Sequence, residues 1–378
     1  MNATVLQFQK AMQNKELEVV LASGASNVFY LSDIPVTNVA VNPVLEAVQH
    51  LSPTVALVPS EGRLVVFTSA ALKQYLDDRA YDAEVYYYPT SLFLEFPQGV
   101  SKPRIYAEDL ETCIGKYLNV HTVKNGKLGI DSAFLSSPGA ECLQNTPYGI
   151  ADGFIQEMRA MKTEEEIRRM RIASCASYAA MERVEGLLKT GKPYTEEDLF
   201  YEARQEIFIR RCQWRFSSLM AGPYSADIYH QPRRYALKNG DVVRLDIGAV
   251  YQGYGSDVAR TFFYGTPPED YAKLYDTLCE AQHRMIESFK PGVPLTDVFS
   301  VGLEYVRAHG YPQYTRKLLG HSVGIETEER PYVESSNDFV IRENMVFSLE
   351  VPYYIKERAG FNIEDIVLVT PNGCEFLK

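Results

Sequence analysis

The segment that most restricts the fold of this chain is a hairpin pattern with two aspartates. It spans residues 241–262 and reads DVVRLDIGAVYQGYGSDVARTF. Apolar and polar residues alternate along its first strand, and the chain reverses around Gln252 and Gly253. Because the second strand folds back onto the first, Asp246 and Asp257 are expected opposite or diagonal to each other. Carboxylates this close share a proton or bind a cation, unless they are ordinary aspartates that flank a turn.

Two more strand patterns carry a glutamate among apolar residues. In NMVFSLEV at 344–351 the apolar residues share one face, and Glu350 lies on the other. Glu364 precedes the run IVLV, which is typical of a strand buried on both faces. In GHSVG at 320–324, His321 follows a glycine that lets the backbone approach another group closely. Taken alone, the His321 pattern favours an ordinary loop histidine.

The four carboxylates and the imidazole support a different interpretation when they are taken together. Buried without partners, such charges would cost about a few kcal/mol each, and the sequence offers no matching set of arginines beside them. An oxygen-rich ligand set with one imidazole suits one or two divalent ions such as Mn²⁺, Co²⁺, Fe²⁺ or Zn²⁺. A bridged pair of ions supplies hydroxide at neutral pH, so the sequence favours metal-dependent hydrolysis.

Length and charge limit the partners of the chain. It has 378 residues and a formal net charge of -11, which suits two domains and disfavours binding to nucleic acid or to an anionic membrane. The six cysteines are scattered without a C-x-x-C pair, as is typical of reduced thiols. No segment has the pattern of a secretory leader or of a membrane span. We therefore expect a cytoplasmic protein with a small-molecule or short-peptide substrate.

The pattern of elements predicts an α/β N-terminal domain over residues 1–150 and a second domain over 151–378. The first domain contains short apolar runs that predict strands: EVVLA at 18–22, VFYL at 28–31, TVALV at 54–58, LVVF at 64–67, EVYYY at 84–88 and KLGI at 127–130. In the second domain helices are expected after Thr163, after Thr195, and over about 268–289 and 295–309. Two helices followed by strands, twice over, suggest a diverged duplication.

The second domain resembles the pita-bread metallohydrolases, which include prolidase, aminopeptidase P, methionine aminopeptidase and creatinase. The resemblance rests on five blocks in order: RAMKTEEEIRRMR, HQPRRYALKNGDVVRLDIGAVYQGYGSDVARTF, GHSVG, MVFSLEVPYY and NIEDIVLVTPNG. It implies an α+β pita-bread fold for this domain, a creatinase-type N-terminal domain, and a homodimer.

The resemblance also implies a role for each polar position in these blocks. Asp246 would bind one of two divalent ions, with Mn²⁺ favoured, and Asp257 and Glu364 would bridge both. His321 and Glu350 would complete the ligand set, and Glu350 would also help to deprotonate the bridging water. The resemblance assigns His230 to contact with the substrate near the scissile bond.

Two positions depart from the proline-specific members of this family. Glu328 stands where those members carry a second histidine, and Asn362 stands where they carry an arginine two residues before the final glutamate. Glu328 could move a proton or bind a cationic group of the substrate, or it could be a solvated loop residue. Asn362 cannot form a charged fork with a carboxylate, which weakens the case for strict Xaa-Pro dipeptide cleavage.

The sequence thus predicts a metallohydrolase of a C–N bond that resembles Xaa-Pro dipeptidase. Its expected catalytic residues are His230, Glu328 and Glu350. Glu328 and Asn362 leave open a creatinase-like or ectoine-hydrolase-like enzyme that acts on a non-peptide amide or a cyclic amidine. A lyase on the same metal site and a binding module without turnover are further alternatives, although the intact ligand set argues against the module.

Overall fold

In the computed structural model, the described residues are 3–35, 52–78, 81–90, 95, 97–121, 127–144, 146–228 and 230–378. They form two compact units, Met1–Met158 and Arg159–Lys378. Of the helices within these ranges, none combines the length and the apolar character that crossing a bilayer requires.

The N-terminal unit is built on a mixed sheet. Its strands are β1 Val19–Ala22, β2 Val55–Pro59, β3 Val65–Ser69, β4 Glu84–Tyr88, β5 Leu128–Ile130 and β6 Tyr148–Ile150. They lie in the order β4-β3-β2-β1-β5-β6, with β2 antiparallel to both β1 and β3 and with the other neighbours parallel. The helices are α1 Ala3–Asn14, α2 Ala25–Ser32, α3 Lys73–Asp77 and α4 Leu110–Val120, followed by α5 Asp152–Ala160.

The predicted strand at VFYL, residues 28–31, is wrong, because this run lies inside α2. Val28 and Leu31 are fully buried, as they would be in a central strand. A short apolar run fits a buried helix and a buried strand equally well, so its hydrophobicity could not separate the two. The other five predicted runs overlap β1, β2, β3, β4 and β5, which confirms them.

Two capped helices open the C-terminal unit, α6 Glu164–Lys189 and α7 Glu196–Ile209. The Thr163 side chain accepts a hydrogen bond from the Glu166 amide, and the Glu166 carboxylate accepts one from the Thr163 amide at 2.7 Å. Glu166 Oε1 also accepts a bond from the Tyr254 hydroxyl at 2.7 Å, which ties this helix start to the hairpin. The helix starts predicted at Thr163 and Thr195 are confirmed.

The strands of this unit form one large sheet and a small ribbon. They are β7 Gln213–Ala221, β8 Asp241–Tyr251, β9 Tyr254–Gly255, β10 Val258–Tyr264, β11 Leu318–Ser322, β12 Glu329–Glu334, β13 Val346–Glu350, β14 Tyr353–Ile355, β15 Ala359–Phe361, β16 Glu364–Thr370 and β17 Gly373–Phe376. The large sheet runs β12-β11-β13-β16-β10-β8-β7, and β14 pairs with β15 in the ribbon. The predicted hairpin is β8 and β10, with Val258 opposite Ile247.

A second helix pair, α8 Glu269–Ser288 and α9 Leu295–Ala308, covers the strands that follow it. Leu278 of α8, Val298 of α9, and Phe347 and Leu349 of β13 are buried in one apolar cluster. Because side chains alternate across a strand, burying Phe347 and Leu349 on this face turns Glu350 to the opposite face. Packing of the apolar core therefore determines which face of the sheet the Glu350 side chain occupies.

The capping box of α6 generates a stability prediction. Thr163→Ala removes the side-chain oxygen that accepts from Glu166, so we expect a loss of about 1 kcal/mol in the free energy of unfolding. Thr163→Ser keeps that oxygen and should retain most of the stability. Denaturant titrations followed by the fluorescence of Trp214, the single tryptophan, would measure both variants. Equal losses in the alanine and serine variants would show that the cap is not responsible.

Candidate metal centre

Five neighbouring strands bring the predicted ligands to one region of the large sheet. On β10, Ala259 lies opposite Asp246 of β8 and also opposite Glu364 of β16. Glu350 of β13 lies opposite Glu364, and His321 belongs to β11, the next strand along. Asp257 directly precedes β10, so it stands one residue from the Val258 position of the ladder. The strand order thus converts five positions spread over about 120 residues of sequence into one cluster.

The centre of this cluster has the size of a metal site. His321 Nε2 lies 3.7 Å from Asp257 Oδ2 and 3.7 Å from Glu364 Oε1. One ligand atom from each of these three buried residues falls within 4.8 Å of the others. Nδ1 of His321 lies 3.1 Å from the Ser322 carbonyl oxygen, so a proton on Nδ1 is donated there and Nε2 remains as the ligand.

Two aspartate oxygens in the cluster have no hydrogen-bond donor among the described residues. They are Oδ1 of Asp246 and Oδ1 of Asp257, and both atoms are buried. A buried carboxylate oxygen without a donor destabilises the fold, because its hydrogen bonds to water are lost and no hydrogen bond within the protein replaces them. A divalent cation would satisfy both oxygens, so the donor set fits a metal ion.

The carboxylates also perturb one another. Burial raises the pKa of Asp246 to about 6, an effect that Arg244 opposes and Glu328 reinforces. Burial and the charge of Asp246 hold the pKa of Asp257 well above its usual range, and burial and the charge of Asp257 do the same for Glu364. The pKa of Glu350 is also raised, first by burial. Such carboxyls stay partly protonated near neutral pH until a cation replaces their protons.

Two arginines approach the carboxylates, a set that does not match the four negative charges. Arg244 Nη1 lies 4.0 Å from Asp246 Oδ2, and Arg316 Nη2 lies 3.9 Å from Glu350 Oε1. Arg244 is nevertheless committed elsewhere, because its Nε donates to the Ser225 carbonyl at 2.9 Å. Arg244 and Asp246 share a strand face two residues apart, a signal that the sequence contained. The carboxylates still outnumber these cations, so the case for a metal remains.

A buried hydrogen-bond network supports Glu364 from behind, and the sequence reasoning missed it. Asp365 accepts hydrogen bonds from the Tyr178 hydroxyl at 2.6 Å, from Arg260 at 2.6 Å and from Gln282 at 3.2 Å. Arg260 also donates to the Glu364 carbonyl oxygen at 2.8 Å. The partners come from separate helices and strands, so no local spacing could have indicated them.

Asn362 lies inside the cluster, where its amide joins two ligand positions. Its Nδ2 donates to Glu350 Oε2 at 3.3 Å and to Glu364 Oε2 at 3.4 Å. Its backbone is fixed by exchange of two hydrogen bonds with the Thr261 hydroxyl. The side chain is thus used to orient ligands, which leaves it no free donor for a substrate carboxylate at the same time.

The other two expected catalytic residues lie on exposed segments. His230 is exposed, and its Nδ1 lies 3.1 Å from the carbonyl oxygen of Gln231. Glu328 is exposed as well, but its charge is close enough to raise the pKa of both Asp246 and Asp257. Glu328 therefore acts on the cluster through its charge, whereas His230 makes no hydrogen bond to a predicted ligand among the described residues.

Comparison with known proteins identifies a family and several relatives that the chain resembles. A family model described as metallopeptidase family M24 matches residues 168–371. An Xaa-Pro dipeptidase of Pyrococcus horikoshii is 34% identical over 233 residues, a match that covers 60% of this chain and 64% of the relative. The match thus spans less than two thirds of the length of that relative.

Solved structures share the architecture of the whole chain. A prolidase from Thermococcus sibiricus covers 100% of this chain with a TM-score of 0.78 and 24% identity, and the match spans 97% of that protein. An Xaa-Pro dipeptidase from Bacillus anthracis covers 99% of this chain with a TM-score of 0.79 and 21% identity, and the match spans 96% of that protein. These likenesses confirm the predicted fold class, an α/β domain followed by an α+β pita-bread domain.

Gly320 generates a prediction about ligand placement. Its φ is +152°, and an added Cβ would lie 2.5 Å from the Ser348 carbonyl oxygen, so a side chain there must separate β11 from β13. We expect Gly320→Ala to displace His321 and to weaken Mn²⁺ binding by about tenfold or more in calorimetric titration. Gly373→Ala is the matched control, because an added Cβ there meets nothing within 4 Å. Unchanged Mn²⁺ affinity in Gly320→Ala would contradict this role.

The raised pKa values generate a prediction about pH. Near pH 5 the folded metal-free protein binds more protons at Asp246 than the unfolded chain does, so its stability should fall as pH rises through about 6. That single shift corresponds to a free energy on the order of 2–3 kcal/mol. Saturating Mn²⁺ should abolish the fall, because the bound carboxylates are deprotonated. Melting curves at about pH 5 and pH 7, with EDTA or Mn²⁺, would measure this.

The variant Asp246→Asn provides the control for the pH experiment. It removes one titrating group, so the fall in melting temperature between about pH 5 and pH 7 should become smaller. A metal-free wild-type protein that gains stability over this interval would refute the raised pKa values.

Proposed function

The chain belongs to metallopeptidase family M24, and from that premise we propose that it is a divalent-metal-dependent peptidase that cleaves Xaa-Pro dipeptides. The observation that carries this proposal is the buried cluster of Asp257, His321 and Glu364, in which Oδ1 of Asp257 and Oδ1 of the neighbouring Asp246 have no donor in the described part of the chain. A similar Pyrococcus horikoshii protein is named an Xaa-Pro dipeptidase, which supports the substrate class.

We assign the metal centre two divalent ions, with Mn²⁺ favoured and Co²⁺, Fe²⁺ or Zn²⁺ as alternatives. The residues that would hold them are Asp246, Asp257, His321, Glu350 and Glu364. Ions bound there supply Lewis-acid chemistry, which polarises a carbonyl group and makes water more acidic. The carboxylates outnumber the imidazole, so the site favours hard ions that prefer oxygen ligands.

Glu350 is the residue of this chain best placed to move a proton during hydrolysis. Burial raises its pKa, and Asn362 holds one carboxylate oxygen at 3.3 Å, which fixes the orientation of the group. A carboxylate with a raised pKa accepts a proton from attacking water more readily than an exposed one. Glu350 can then return this proton to the departing amine.

Glu328 and His230 are assigned to the substrate. Glu328 is exposed and its charge acts on Asp246 and Asp257, so we assign its carboxylate to the free amino group of a dipeptide. His230 is exposed and accessible to a ligand, and its proposed role is contact with the substrate near the scissile bond. The expected homodimer and cytoplasmic location stay predictions.

The proposed activity predicts which substrates are cleaved and which variant is inactive. Protein loaded separately with Mn²⁺, Co²⁺, Fe²⁺ or Zn²⁺ should hydrolyse Xaa-Pro dipeptides and leave ordinary dipeptides largely intact. Asp257→Asn removes a charged ligand, so it should lose bound metal and at least about 100-fold of the activity. Asp276→Asn, an exposed change on α8, is the matched control and should behave as wild type. Metal analysis and product chromatography would measure these outcomes.

Each contrary result identifies which part of the proposal fails. Protein that binds metal but leaves Xaa-Pro dipeptides intact would exclude the proposed substrate class. Protein that holds no divalent ion after reloading would exclude the metal centre itself. A product formed without addition of water would show that the site catalyses elimination instead of hydrolysis.

A further inference from the structure

An aromatic pocket adjoins Glu350 and contains one arginine. The residues that line it are Gln313, Tyr314, Thr315, Arg316, Pro352, Tyr353 and Tyr354, and its volume is about 280 Å³. We propose that Arg316 binds the free carboxylate of the substrate and thereby determines its specificity for dipeptides. This proposal rests on the proposed function, since it names how the same site selects its substrate.

The geometry of Arg316 suits an anion that approaches the metal centre. Its Nη2 lies 3.9 Å from Glu350 Oε1, which is a long ion pair and leaves donors available. The Nε atom is buried and has no hydrogen-bond partner among the described residues. The side chain is 27% exposed, so a ligand can reach it from solvent. A guanidinium with unused donors at the edge of a pocket is suited to bidentate binding of a carboxylate.

The other arginines near the cluster are already occupied by the protein. Arg244 donates to the backbone carbonyls of Ser225 and Asp227 at 2.9 and 2.8 Å. Arg215 donates to the carbonyl oxygen of Ile325. Of these three arginines, Arg316 is the one whose guanidinium makes no hydrogen bond to a described residue.

Asn362 explains why an arginine at another position is needed. Its amide is neutral and already donates to both Glu350 and Glu364, so it offers a substrate carboxylate no charge and no free donor. Arg316 lies just before β11, 46 residues before Asn362 in the sequence, and its guanidinium approaches the same glutamate, Glu350. Arg316 can therefore supply the positive charge that Asn362 lacks.

The walls of the pocket suit the apolar part of a C-terminal residue. Tyr314 and Tyr353 stack with ring centroids 5.6 Å apart and an interplanar angle of 8°. The Tyr314 hydroxyl donates to the Pro352 carbonyl oxygen at 3.1 Å, and the Tyr353 hydroxyl accepts from Gln313 at 2.7 Å. Rings fixed by packing and hydrogen bonds form a preorganised apolar surface, beside which one cation fixes the orientation of a ligand.

A different role for Arg316 would be to hold Glu350 in position. The two roles predict different substrate profiles. If Arg316 binds the substrate carboxylate, its loss harms only substrates that carry one. If Arg316 orients Glu350, its loss harms all substrates equally, because Glu350 acts on each of them.

The test compares Ala-Pro with Ala-Pro-amide on Mn²⁺-loaded protein. Arg316→Gln should lower kcat/KM for Ala-Pro by about 10- to 100-fold, mainly through KM, because one charge-assisted interaction is lost. Ala-Pro-amide should change by about twofold or less, and Arg316→Lys should recover part of the loss. Lys317→Gln, the neighbouring exposed residue with the same change in charge, is the matched control and should leave both substrates unaffected.

Binding without turnover separates this proposal from the proposed function. Calorimetry with N-acetyl-proline and N-acetyl-prolinamide should show that wild-type protein prefers the carboxylate by about tenfold or more, and that Arg316→Gln abolishes this preference. If the preference depends on Arg316 but no dipeptide is cleaved, the peptidase activity fails and the carboxylate site stands. If wild type shows no preference, or if Arg316→Gln weakens both substrates equally, the carboxylate role of Arg316 is overturned.

Discussion

Electrostatic repulsion among four carboxylates is the constraint on which the C-terminal unit depends. Asp246, Asp257, Glu350 and Glu364 come from adjacent strands of one sheet, and burial raises the pKa of each. A fold that places these groups together must protonate them or provide a cation. The apolar cluster behind β13 and β16 opposes the repulsion by holding the strands in register, so the packing of the core keeps an unfavourable arrangement of charges in place.

A second buried carboxylate in the same unit shows how the protein neutralises a charge when no metal is required. Burial alone would raise the pKa of Glu329. Arg159 Nη2 lies 2.5 Å from Glu329 Oε1 and Lys162 Nζ lies 3.6 Å from Glu329 Oε2, and these two cations lower the pKa of Glu329 to about 2. Lys162 also lies 3.2 Å from the Ser322 hydroxyl, next to His321. Glu329 is thus paired with cations from the chain, whereas Oδ1 of Asp246 and Oδ1 of Asp257 have no donor among the described residues. This contrast within one unit indicates that Asp246 and Asp257 bind a cation that the chain itself does not supply.

The sequence predicted the parts of this site that depend on local periodicity. Alternation along β8 and β13 placed Asp246 and Glu350 opposite the core, and the Thr163 capping box fixed the start of α6. The expectation of a strand at residues 28–31 was wrong, because burial on all sides hides the period that separates a helix from a strand. The support of Glu364 by Asp365, and the approach of Arg316 to Glu350, depend on pairs far apart in sequence, for which local spacing carries no signal.

The two departures from the family pattern change the charge of the site in the same direction. Glu328 carries a negative charge at the position where the resemblance to proline-specific members implies a histidine, and this charge raises the pKa of both Asp246 and Asp257. Asn362 is neutral at the position where the resemblance implies an arginine, so it brings no positive charge to Glu350 and Glu364. Both changes strengthen the demand for cations, since each makes the cluster more negative. Arg316 supplies one positive charge near Glu350, and its side chain is 27% exposed, so this charge lies where a substrate can reach it.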